Sequence, residues 1–527
     1  MTRSPWILCL TLALAAMPAP ARAADAAAEK QAEEKESEEA TEPTPEELEE
    51  RSSTTTGRVV IDGETVEYTA TVGDIVLRDD DGKPTAKMTY VSYLRDGVAD
   101  RARRPVTFAF NGGPGSASVW VHLGAFGPKR ALLDDEGMPV GPPPGELVDN
   151  EDSLLDATDL VFIDPVETGW SRPAPEHESK EFTGFTRDVA SVGDFIRLWT
   201  SRNGRWLSPK LIAGESYGTT RAAGLARYLQ NEHGMYLNGI CLISSVINWD
   251  TKVFNVGHDL PYPLILPTYT ASAWYHGTLP ERYDGDLEAA LADAEAFALG
   301  DYATALMQGD ELPAERRREI AARLAELTGL APAYVERADL RVEIFRFVKE
   351  LLRDRGLTVG RLDSRYTGID RDDAGELFEY DPSSSVVTGY YVSLIKDYLR
   401  RELGYESDLV FRHAAGEQVR PWSYHEQEPT QSYGTNAYAN HAEALREAMH
   451  RNPALRVLVM SGYYDLATPY FASDYTVTHM QLDESVRGNI RVAYYEAGHM
   501  MYVRREDARK FRQDYLQLIA DAVDAAP

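Results

Sequence analysis

Three side chains in this sequence have the types and settings that acyl-transfer chemistry needs. Ser216 stands in Gly214-Glu215-Ser216-Tyr217-Gly218, between the apolar run 211–213 and an alanine-rich stretch that reads as a helix. Glycines two before and two after a serine, at a strand-to-helix junction, permit a turn so tight that the hydroxyl stands clear of the backbone. Asp465 follows the strand-like run 457–460, and His499 follows the run 492–495 in Glu496-Ala-Gly-His499-Met500. A serine hydroxyl is a weak nucleophile until an imidazole takes its proton, and that imidazole needs a carboxylate to hold its tautomer. Taken singly, each residue has an ordinary reading: a loop pentapeptide, a turn aspartate near Pro469, a structural histidine. The order Ser, Asp, His, each at the carboxyl end of an apolar run, argues for one catalytic triad.

The elements that must position these residues can be read from periodicity. Short apolar runs at 106–110, 160–163, 211–213, 240–243, 457–460 and 492–495 predict buried strands, with helices at 185–201, 220–230 and 442–449 between them. Such alternation predicts an α/β protein with a doubly wound, mostly parallel sheet, whose active-site loops leave the carboxyl ends of the strands. The triad order on such a sheet is that of the α/β-hydrolase fold. Residues 58–95 alternate apolar and polar positions around Asp-Gly turns at 62–63 and 81–82, which predicts antiparallel strands. From 249 to 433 the rhythm becomes helical, with Leu287, Ala290, Leu291, Ala294 and Phe297 on one face and further helices at 313–327 and 341–355. Asp465 and His499 come only after that stretch, so it reads as a helical lid inserted into the sheet domain. The expected division is a signal peptide over 1–23, an acidic disordered linker over 24–57, the first part of the core over 58–248, the lid over 249–433 and the second part of the core over 434–527.

The whole chain narrows the setting. Arg3, the apolar run 6–17 and Ala21-Arg-Ala23 have the layout of an export signal, too short to span a bilayer. Cys9 falls within it, so the mature chain keeps only Cys241, which sits in an apolar strand and reads as a core residue. An exported chain without a disulfide suggests a bacterial periplasmic or secreted enzyme. Net charge is −30, of which residues 24–57 supply −9 from twelve acidic and three basic side chains. That surplus of acid argues against nucleic-acid binding. No metal-ligand spacing, phosphate-cradling loop, cofactor motif or later membrane span is apparent, and oligomeric state has no signature.

Four blocks carry a resemblance: Asn111-Gly-Gly-Pro-Gly-Ser-Ala-Ser118, Phe162-Ile-Asp-Pro-Val-Glu-Thr-Gly-Trp-Ser171, Gly214-Glu-Ser-Tyr-Gly218 and Ala497-Gly-His-Met500. Together they resemble the serine carboxypeptidase family, over roughly 107–245 and 457–502. The resemblance implies Ser216 as nucleophile, His499 as general base and acid, and Asp465 as its orienter. It implies an oxyanion hole from the amides of Gly113 and Tyr217, and a site for the terminal carboxylate of a peptide substrate at Asn111, Gly112 and Glu215. A glutamate can share a site with a carboxylate only if one of them is protonated, so Glu215 is expected to have a raised pKa and peptidase action to fall as it ionises. Two positions depart from the family: Ala109 stands where a tryptophan is usual, and Ala125 where a glutamate is usual. The expected function is therefore a serine-type carboxypeptidase working through an acyl-enzyme. An esterase, acyltransferase or other peptidase on the same triad is the alternative, and a non-catalytic peptide-binding protein is the reading from another class.

Overall fold

The structure, a computed structural model, describes residues 48–425 and 439–523. The expected signal peptide, and the acidic stretch before residue 48, lie outside the described residues. Ten strands make one sheet. They are β1 (Ser52–Ile61), β2 (Glu64–Arg78), β3 (Pro84–Arg95), β4 (Val106–Phe110), β5 (Asp159–Ile163), β6 (Arg172–Pro173), β7 (Lys210–Glu215), β8 (Gly239–Ile243), β9 (Arg456–Gly462) and β10 (Ile490–Tyr495). Their spatial order is β1-β2-β3-β5-β4-β7-β8-β9-β10, with β6 pairing off β3. The pairings β1–β2, β2–β3 and β3–β5 are antiparallel. From β5 onward every neighbour along the sheet is parallel.

The principal helices are α1 (Phe185–Arg202), α2 (Tyr217–His233), α3 (Pro261–Tyr275), α4 (Leu287–Phe297), α5 (Ala314–Thr328), α6 (Pro382–Asp397), α7 (Ala442–Arg451) and α8 (Arg505–Val523). The parallel strands are covered on both faces, which is why they read as unbroken apolar runs. Their residues still alternate between two cores. Val106, Phe108 and Phe110 pack with Val192, Trp199 and Leu225 of α1 and α2, whereas Ala109 packs in the opposite core with Phe511 and Tyr515 of α8. Cys241 is buried there too, beside Met460. The sheet and its two helical layers form an α/β-hydrolase fold.

One boundary differs from expectation. The acidic linker was expected to reach residue 57, but β1 begins at Ser52 and pairs residue for residue with β2, from Ser52↔Gly73 to Ile61↔Glu64. The run Ser52-Ser-Thr-Thr-Thr56 is rich in β-branched side chains and has an open ladder to join, which outweighs the acidic character just before it. Even Glu50 is engaged, accepting the Val76 amide at 2.8 Å.

Among the described residues, 249–425 add no strand to the main sheet. Helices α3, α4 and α5 enclose a separate apolar core containing Tyr269, Ala294, Leu324 and Phe347, with the Tyr269 and Phe347 rings stacked 3.9 Å apart. That core also takes in Leu466, the residue after Asp465. The helix expected at 341–355 is only Ile344–Glu350. Asp339 and Leu340 have φ of 56° and 62°, which breaks the helical path, and Arg341 turns its guanidinium to Asp259 at 2.7 and 2.8 Å. No helix among the described residues is long and apolar enough to cross a membrane.

Candidate active site

β7 ends at Glu215 and α2 begins at Tyr217, so Ser216 turns the corner alone, at φ 60° and ψ −129°. A non-glycine residue held there stores about 1–3 kcal/mol of strain, which the surroundings must impose. They do so through the Ser216 amide, which donates to Ile243 O at 2.9 Å, and through Thr219, whose amide and hydroxyl donate to Ser216 O at 2.8 and 2.7 Å. A Cβ on Gly214 would lie 2.2 Å from Gly218 O, so no side chain fits where the strand and the helix meet.

Asp465 and His499 leave the neighbouring strands β9 and β10. The Asp465 carboxylate is fully buried and accepts from His499 Nδ1 at 2.6 Å. Its other donors are the Ala467 and Thr468 amides at 2.8 and 3.0 Å, and the Thr468 hydroxyl at 2.5 Å. Burial alone would raise the Asp465 pKa, but the His499 charge and these hydrogen bonds bring it below the ordinary value. Burial pushes the His499 imidazole down, and the Asp465 charge and hydrogen bond more than reverse that, leaving it raised. Ser216 and His499 line the same cleft, of about 210 Å³. The Ser216 hydroxyl makes no hydrogen bond among the described residues, so its contact with the imidazole is not formed in this structure.

The loop after β4 closes over the elbow. A Cβ on Gly112 would sit 2.4 Å from the Tyr217 amide nitrogen, which shows how near the loop backbone approaches the start of α2. Neither the Gly113 nor the Tyr217 amide has an acceptor among the described residues. Interior amides are almost always paired, and two unspent donors flanking a serine suit an oxygen that becomes negative. Arg221 pins this loop: its guanidinium donates to Asn111 O and to Asp188, both at 2.8 Å, and the Tyr217 hydroxyl donates to Asp188 at 3.0 Å.

Asn111 and Glu215 meet beside Ser216. Asn111 Nδ2 donates to Glu215 Oε1 at 2.8 Å, while Asn111 Oδ1 accepts the Trp120 and Val121 amides at 3.1 Å. The Tyr502 hydroxyl donates to Glu215 Oε2. Burial of the Glu215 carboxyl pushes its pKa up to about 7, despite the opposing His499 charge and the hydrogen bonds from Tyr502 and Asn111. Ala109 and Ala125 are both buried, and neither lines the cleft.

Several participants have no signal in the sequence. Tyr502 and Thr468 lie within three residues of His499 and Asp465, where chain proximity alone could have suggested them. Arg221 and Asp188 lie on helices and give no hint. The lid contributes most unexpectedly, through residues 361–363. Leu362 O accepts the His499 amide at 2.7 Å, Arg361 O accepts the Leu466 amide at 3.1 Å, and Asp363 accepts the Gly498 amide at 3.0 Å. The insertion thus braces both the aspartate loop and the histidine loop. Among the described residues no cluster of His, Cys, Asp or Glu is arranged to hold a metal ion.

The fold is that of the α/β-hydrolase class. Residues 81–309 match the model of the serine carboxypeptidase family, which bears out the resemblance read from the motifs. Among solved structures the chain is similar to Kex1(Δ)p, a prohormone-processing carboxypeptidase from Saccharomyces cerevisiae. The two are 14% identical with a TM-score of 0.51, covering 86% of this chain and 91% of that one. It also matches esterase E22 at 12% identity and TM-score 0.34, covering 88% and 100% of the two chains. The peroxisomal α/β-hydrolase Lpx1 of Saccharomyces cerevisiae matches at 8% identity and TM-score 0.36, covering 91% of each chain. No curated protein matches the sequence.

Proposed function

We propose that the protein is an exported serine carboxypeptidase, with Ser216, His499 and Asp465 as its triad. The observation that carries this reading is the Asn111–Glu215–Tyr502 cluster, which sets a buried carboxyl of raised pKa next to the nucleophile. A protonated Glu215 can donate to the terminal carboxylate of a peptide, with Asn111 and the Gly112 backbone completing the site. His499 then takes the Ser216 proton as the Oγ–carbon bond forms at the last peptide carbonyl, and the amides of Gly113 and Tyr217 hold the resulting oxyanion. Collapse breaks the C–N bond, and the imidazolium gives its proton to the leaving amine. Water, deprotonated by His499, hydrolyses the acyl-enzyme and restores the serine.

An esterase or acyltransferase using the same groups is the second reading, favoured by Ala125, which puts no carboxyl where the family carries one. One peptide offered with a free and with an amidated C-terminus separates the two. A carboxypeptidase cleaves the free acid and leaves the amide nearly untouched; equal cleavage of both, or cleavage of simple esters alone, would refute the reading. Labelling by a fluorophosphonate, abolished in Ser216→Ala, checks the nucleophile, and a folded wild type that takes no label would revive a purely binding role.

A further inference from the structure

Part of the lining of the cleft that holds Ser216 comes from the helical insertion, through Arg361, Leu362, Ser384, Val387 and Thr388. Arg361 is the permanently charged cation among the described residues lining it. Its nearest carboxylate is Asp381, with Nε 3.7 Å from Oδ2, too far for a hydrogen bond. Asp381 is committed elsewhere: it caps α6 by accepting the Ser383 amide at 3.1 Å, and it accepts the Arg361 and Leu362 amides at 3.0 and 3.2 Å. The Arg361 guanidinium makes no hydrogen bond among the described residues, although it has five N–H donors to offer.

The backbone that carries this cation is held in place. The Arg361 carbonyl is bonded to Leu466 and the next carbonyl to His499, so its backbone is fixed against both catalytic loops. A planar fork of unused donors, on a braced backbone in the cleft that Ser216 also lines, matches a carboxylate, which guanidinium binds in bidentate geometry.

We propose that Arg361 is a specificity-determining residue that pairs with a carboxylate on the substrate, beyond the carboxyl site at Asn111 and Glu215. This rests on the reading of Ser216 as the nucleophile of a hydrolase. A peptide ending in aspartate or glutamate carries two carboxylates, and the cleft has two devices to receive them. The partner of Arg361 is then the acidic side chain of the leaving residue or, if the roles are exchanged, its α-carboxylate.

The test compares wild type, Arg361→Gln and Arg361→Lys on one peptide ending in Glu, in Gln and in Gln-amide. Fluorophosphonate labelling of each variant checks that the site is folded. With the side chain as partner, Arg361→Gln lowers kcat/KM about tenfold on the Glu peptide alone, and Arg361→Lys recovers part of it. With the α-carboxylate as partner, the same loss falls on both acids and spares the amide. Equal losses on all three substrates, or none, overturn the proposal. If the wild type is labelled but cleaves none of the peptides, the carboxypeptidase reading fails by itself. Arg361 is then judged on the p-nitrophenyl esters of succinate and butyrate: a loss confined to the succinate half-ester upholds it, and an unselective result overturns it.

Discussion

Ser216 and His499 reach the cleft from the ends of parallel strands, with Asp465 buried behind His499 at the end of the strand between, and each strand is fixed by ladders to its neighbours. Arg361 and Leu362 reach it from a helical insertion that has an apolar core of its own around α3 to α5, and Val387 from α6, whose Val387, Tyr391 and Leu394 pack in the sheet's core. On the first wall the backbone decides position, and side chains are added at points the sheet has already set. On the second wall α6 is seated in the sheet's core, while residues 361–363 are tied across the boundary by bonds at Leu466, Gly498 and His499. On the proposed reading chemistry belongs to the sheet and the choice of substrate to the insertion, with residues 361–363 serving both.

The comparison can be broken most severely on the sheet side. Asp465→Asn keeps the volume but removes the charge that holds the His499 tautomer, and turnover should fall about 10⁴-fold with little change in KM. A smaller loss would mean that Thr468, whose hydroxyl lies 3.3 Å from His499 Nδ1, can do the orienting. Next in size is the seam. A Cβ on Gly498 would lie 2.4 Å from Asp363 Cβ and 2.5 Å from Leu362 O, so Gly498→Ala must push the lid off the histidine loop. Turnover should drop roughly 10²-fold, the usual consequence of misplacing a catalytic group by about 1 Å, together with a lower Tm by differential scanning calorimetry. Unchanged kinetics would show that the two walls are independent.

Two smaller effects sharpen the contrast. Glu215 is protonated below about 7 and ionised above it. The ionised form repels a substrate carboxylate, so kcat/KM for free-acid peptides should fall as pH rises through that value. His499 must lose its proton to act as base, so activity also falls on the acid side, leaving a bell. In Glu215→Gln the alkaline limb should disappear from the pH–rate profile; if it persists, another group controls it. Tyr502→Phe removes one hydrogen bond to the ionised carboxylate, so the alkaline limb should move to higher pH by a fraction of a unit, with a few-fold change in rate.

The two walls were unequally legible in the sequence. A parallel strand buried on both faces is a short apolar run, so β4, β5, β7, β8, β9 and β10 could all be anticipated, with Gly214 and Gly218 marking where one of them must turn. The groups that tune the site were harder to see, because Arg221 reaches Asn111 across 110 positions and Tyr502 reaches Glu215 across 287. The lid was legible only as helices. Nothing about Arg361-Leu-Asp363 as a tripeptide marks it out: two of its three contacts with the catalytic loops are made by carbonyl oxygens, which every residue possesses. At β1 the error came from composition, since the charge of the preceding stretch masked a threonine-rich strand.

The bond from the His499 amide to Leu362 O bears on how this protein could be re-engineered. Exchanging the insertion for one from another hydrolase would look like a modular graft, with helices free to vary in number and length. Yet an imported segment offering no carbonyl at that point would strand the buried N–H of His499, at about 1–3 kcal/mol. A viable chimera must therefore inherit a three-residue clasp, whatever else it discards.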